Sequence, residues 1–161
     1  MDDPQNVVRL ARAQERELRA WLFEGRPPGS PGEHATMLGE GISELQRHVE
    51  ADHGITVHVV LVGDCVLTDG LRALLSAAQE ATVNAAKWSG EAQVSLYAEV
   101  EPHAVSLFVR DRGHGFDPDA VPEDRQGIAQ SMKARMARYG GRVDIRSSPG
   151  NGAEVEFSLP T

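Results

Sequence analysis

The chain has 161 residues, 40% hydrophobic and 25% charged, enough for one ordinary domain with a full core. Its formal net charge of −8 excludes a general binder of nucleic acid or anionic membrane, which needs a basic face; a single nucleotide, held by a few local cations, a metal ion and backbone amides, stays possible. The one cysteine, Cys65, cannot form an internal disulfide and fits a reducing cytoplasm, no run approaches the roughly 18 apolar residues of a membrane helix, and Met1-Asp2-Asp3-Pro4 does not open like a signal peptide.

In chain order, Asp3 can cap and Pro4 can open a first helix reaching about Glu24. Val7, Ala11, Leu18 and Trp21 recur along it at alternating four- and three-residue spacings, with Gln14 as a polar interruption, a seam suited to packing on another helix. Residues 25–32 include Arg-Pro-Pro-Gly-Ser-Pro-Gly and read as a linker, which places the main domain at 33–161. A second helix is expected from about His34 to His53, with Met37, Ile42, Leu45 and Val49 on its apolar side. Ile55–Val62 is β-branched and reads as a strand.

Thr68 opens a long helix to about Trp88. Two alternating strands follow, 92–100 and 103–110, turning at Pro102. A Gly/Pro/Asp-rich loop covers 111–126, Gly127 is read as opening a helix to Tyr139 with Ile128, Met132, Met136 and Tyr139 on one side, and Gly140-Gly141 stops it. Strands at 142–147 and 153–159 flank Ser-Pro-Gly-Asn-Gly. This order predicts an α+β fold: a mixed, mostly antiparallel sheet of about five strands, covered on one face by about three helices in a two-layer sandwich.

Four features carry chemistry. At about 100° per residue, Asn84 falls about 40° from Glu80 and Lys87 about 20° to its other side, opposite Leu71, Leu74, Leu75, Ala78, Thr82 and Ala85. An acid, an amide and a base thus share one stripe of the long helix, a pattern that a merely solvated face also produces. Asp111-Arg112-Gly113-His114-Gly115 directly follows an apolar strand, so it can fix a carboxylate in place while the glycines let backbone approach a flat ligand. Gly127, at the expected start of a helix, offers free amides and the positive end of a dipole to phosphate. Ser148-Pro149-Gly150-Asn151-Gly152-Ala153 taken alone is a hairpin.

In this order the four resemble the ATPase superfamily that unites sensor histidine kinases with gyrase-type topoisomerases, mismatch-repair ATPases and an ATP-dependent chaperone, whose sandwich is of the Bergerat type. Glu80-Ala-x-x-Asn-Ala-x-Lys-x-Ser is similar to the asparagine box of the histidine kinases, and Asp111-Arg-Gly-His-Gly-Phe to their first glycine box. Gly127-Ile-x-x-Ser-Met-x-x-Arg-Met-x-x-Tyr-Gly-Gly, with the later Ser-x-Pro-Gly-x-Gly-Ala, resembles the ending of the subfamily paired with helix-turn-helix response regulators. The opening, with Arg-Ala-Trp-Leu-Phe, resembles the segment after the phosphoacceptor helix in actinobacterial members.

The resemblance implies ATP and Mg2+ as ligands. Asn84 would hold the metal, Glu80 would orient or deprotonate the attacking group or a metal-bound water, and Lys87 would meet a phosphate oxygen. Asp111 would accept the adenine amino group beside Gly113 and Gly115; Gly127, Ile128 and the amides after them would cradle phosphates; residues 117–126 would form the ATP lid. Residues 1–24 would be what remains of the dimerisation and phosphotransfer hairpin. The implied partners are the dimerisation helices, a second copy in the full-length kinase and a response regulator, with the chain as the cytoplasmic part of a membrane-bound sensor.

The sequence departs from the family pattern in four places. Gly127 is followed by Ile128-Ala129-Gln130 where Gly-x-Gly is common, Ala153 stands where a hydroxyl is common, and Trp88 where a histidine is common. The six histidines precede Ala35, Val49, Gly54, Val59, Ala104 and Gly115, whereas the family's phosphoacceptor histidine precedes an acid. The chain is therefore expected to begin after the phosphoacceptor helix. An anti-sigma-type serine kinase and a nucleotide-sensing module without transfer activity are the competing readings of the same fold.

Overall fold

The computed structural model describes residues 35–115, 117 and 123–161. The expected first helix, 4–24, and the linker, 25–32, lie outside them.

Three helices and five strands follow one another as α1 (Leu38–His53), β1 (Thr56–Val62), α2 (Asp69–Trp88), β2 (Gln93–Val100), β3 (Ala104–Asp111), α3 (Glu123–Ala137), β4 (Arg142–Ser147) and β5 (Ala153–Pro160). The strands form one sheet in the order β1-β2-β3-β5-β4. β1 and β2 run parallel, which requires a crossover, and α2 supplies it. The other neighbours are antiparallel: β2–β3 and β4–β5 are consecutive hairpin pairs, and β5 returns to β3 after α3 and β4.

Period-two alternation puts one set of strand residues under the helices. Val94, Leu96 and Ala98 of β2, Val105, Leu107 and Val109 of β3, and Phe157 and Leu159 of β5 are buried. Against them pack Leu38, Ile42, Leu45 and Val49 of α1, Leu71, Leu74, Leu75 and Ala78 of α2, and Met132 and Met136 of α3. This is the α+β two-layer sandwich that the order of elements predicts.

The helix ends follow local chemistry. Thr68 caps α2, its Oγ1 accepting from the Leu71 N–H at 3.2 Å. α1 has no capping side chain of its own; Asp64, from the loop after β1, accepts from the Gly39 N–H at 3.0 Å and does that work from across the fold. Met37, expected on the apolar face, is the N-cap residue and only half-buried, so Leu38 takes the core position. Gly54, at φ 64°, terminates α1 in the left-handed conformation.

One boundary is corrected. α3 starts at Glu123, not at Gly127, and ends at Ala137, so Tyr139 falls in the turn beyond it and is 43% exposed. Pro122-Glu123-Asp124, a proline followed by acids, is the start signal that fits the observed bound.

Candidate functional site

α2 carries the acid–amide–base stripe. Its core side is fixed by Leu71, Leu74, Leu75, Ala78 and Ala81, and by Thr82, whose buried hydroxyl donates to the Ala78 carbonyl at 2.7 Å. That docking leaves Glu80 and Asn84 half-buried and Lys87 exposed, as the helical wheel predicts for the opposite side. Glu80 is a paired acid: the Nη2 of Arg135, on α3, donates to its Oε2 at 3.2 Å.

The second part forms where β3 ends. Asp111 belongs to the strand, in register with Ala153 of β5, and is 6% exposed. Its Oδ1 accepts from the Gly113 N–H at 2.9 Å, which leaves the other carboxylate oxygen with acceptor capacity for an exocyclic amine. Gly113 lies so near Ser89, just past α2, that a Cβ there would overlap the Ser89 carbonyl oxygen. That carbonyl accepts from the His114 N–H at 3.2 Å. The glycine loop is thereby pinned to the C-terminal end of the helix that bears Asn84 and Lys87.

The hairpin between β4 and β5 completes the arrangement. Gly150 donates its N–H to the His114 carbonyl at 2.6 Å. Gly115, at φ 64°, touches the Ser148 carbonyl where a Cβ would sit, and Gly152 does the same against the Asp111 carbonyl. The second and fourth sequence features therefore meet in space, and Ser89 ties them to the end of the helix that bears the first. Ser89 and Arg135 are letters of the motifs that resemble the family's, but the sequence assigns neither a role of its own.

Gly127 behaves differently from expectation. It lies in the second turn of α3, exposed, with open space where a Cβ would point, so it does not open the helix as predicted. Ile128 follows it within the same helix.

Oxygen donors on one stripe suit Mg2+, which takes one or two protein oxygens and otherwise keeps phosphate and water ligands; Asn84 and Glu80 are of that type. The described residues hold no group of three or more His, Cys, Asp or Glu of the kind that cages a metal alone. Burial and the neighbouring Asp64 push the Cys65 thiol above its usual range, so it stays protonated and unreactive at neutral pH. A groove of about 650 Å³ lies on the helix-free face of the sheet, lined by Tyr97, Phe108, Arg110 and Glu154 and reaching Asp111 and Arg112. None of Glu80, Asn84 and Lys87 lines it, so the stripe on α2 belongs to the other face.

Comparison with known proteins bears on this geometry. The profile of the histidine kinase-, DNA gyrase B- and HSP90-like ATPases matches residues 69–161. Over 155 residues the chain is 28% identical to the sensor histidine kinase LiaS of Bacillus subtilis (strain 168), covering 96% of the chain and 42% of LiaS. Over 156 residues it is 27% identical to the sensor protein VraS of Staphylococcus aureus (strain COL), covering 96% and 43%. The chain thus spans less than half the length of these curated relatives. Among solved structures, the mycobacterial sensor histidine kinase MprB superposes with a TM-score of 0.57 at 22% identity, covering 77% of this chain and 94% of that one. The blue-light activated histidine kinase of Erythrobacter litoralis EL346 gives 0.64 at 14% identity, over 97% and 54%. Full-length ShkA, solved in complex with AMPPNP, gives 0.57 at 27% identity, over 76% and 29%. No helix among the described residues is long and apolar enough to cross a membrane.

Proposed function

The chain belongs to the histidine kinase-, DNA gyrase B- and HSP90-like ATPase family, and from that premise we propose that it binds Mg-ATP and donates the γ-phosphate to a histidine on a dimerisation helix in two-component signal transduction. The observation that carries the reading is the meeting of the α2 stripe with the Asp111 loop through Ser89. The relatives named as sensor kinases, and a likeness solved with an ATP analogue, support it.

Each residue then has a task. Asp111, whose geometry is set by strand register and the Gly113 N–H, accepts the adenine amino group, and the loop glycines let the ring lie close. Asn84 holds Mg2+, which neutralises phosphate charge when bound. Lys87, exposed on the same stripe, meets a phosphate oxygen. Glu80 orients the attacking imidazole. The N-terminal end of α3 offers free amides and the positive end of its dipole to the phosphates, and Gly127 and Ile128 stand behind it in the second turn. On this reading the whole kinase is a membrane-bound homodimer whose cytoplasmic part includes this domain and whose output is a response regulator.

The test mixes the chain with Mg-ATP and a segment bearing the upstream phosphoacceptor helix. Phosphate is expected on histidine, lost with Asn84→Ala. Phosphate on a partner's serine instead would overturn the kinase reading in favour of an anti-sigma-type activity.

A further inference from the structure

We propose that Arg135 is a positioning residue for Glu80, aiming its carboxylate along the nucleotide-facing stripe; the proposal rests on the functional reading above. The pair joins elements 55 residues apart in sequence, α2 and α3. Arg135 Nη2 reaches Glu80 Oε2 at 3.2 Å and stands 3.4 Å from Ser131 Oγ, one turn back on α3. Glu80 is one helical turn before Asn84, so whatever fixes the carboxylate fixes an acceptor beside the proposed metal ligand.

Charge explains why the acid needs a partner. A bare carboxylate beside a triphosphate is repelled and swings away, and an arginine behind it offsets that repulsion and restricts its rotamers. The two side chains are 33% and 31% exposed, and pairs so exposed contribute little to folding. A gain in stability is therefore a poor explanation for this contact.

The experiment measures Mg-ATP affinity, and the rate of transfer to the phosphoacceptor segment at saturating ATP, for the full chain and its variants. Arg135→Met is expected to lower the saturating rate about tenfold or more while changing affinity by less than about threefold, a loss confined to the chemical step. Arg135→Lys, which keeps the charge without the planar fork, should recover part of the rate. In a Glu80→Gln background Arg135→Met should cost nothing further, because Arg135 acts through Glu80. Unchanged rates in Arg135→Met, or losses that multiply in the double variant, would overturn the proposal while leaving the kinase reading intact. A wild-type chain that neither binds Mg-ATP nor transfers phosphate would bring down both.

Discussion

Asp111 and the glycines around it show how single positions set the site. The carboxylate owes its placement to strand pairing with Ala153, and the loop that follows is held to Ser89 by contacts with no room for a side chain. Gly113→Ala should therefore cost more than about 2 kcal/mol in urea unfolding, the range of backbone clashes and overpacking. Gly127→Ala should do the opposite, because it fills open space in a helix interior and gains about 0.5–1 kcal/mol from helix propensity. Equal effects at the two positions would contradict the loop geometry. The D-x-G-x-G pattern, in itself ordinary turn chemistry, was legible in the sequence through its order with the other three features. What Ser89 and Arg135 touch was not, because a carbonyl acceptor and a cross-helix base acquire their partners only when distant segments dock.

Among the elements, α2 does the most: it bridges parallel strands, buries one side in the core and presents the stripe on the other. Its amphipathic period was readable residue by residue, as was the alternation of β2 and β3. α3 starts earlier than its sequence suggests, because the Gly/Pro/Asp-rich composition of 111–126 reads as loop throughout while its last residues, from Glu123, are helical. The trans-cap of α1 by Asp64 could not be read from local sequence at all. α2 also carries a flaw that makes a prediction. Gln79 Oε1 is, among the described residues, the buried side-chain acceptor without a hydrogen-bond partner. Gln79→Met keeps the shape and removes the unpaired oxygen, so stability should rise by about 1 kcal/mol, read as a higher midpoint in urea. A fall of similar size would mean that the oxygen has a partner in solution.

For the whole molecule, a net charge of −8 sits beside a site proposed to take a polyanion. On the proposed reading local groups resolve this: Lys87, a cation held by Asn84 and the amides at the start of α3 would face the phosphates. A sandwich with helices on one side of the sheet places the α2 stripe, the Asp111 loop and the β4–β5 hairpin at one end, and the family match spans these parts. The most direct test of the central claim is thermal unfolding of the chain titrated with Mg-ATP. A ligand that binds only the folded state raises its stability by mass action, so the midpoint should climb with Mg-ATP concentration, and the rise should vanish in Asp111→Ala and in Asn84→Ala. A midpoint that does not move in the wild-type chain, or that rises equally in both variants, would contradict the assignment of this site.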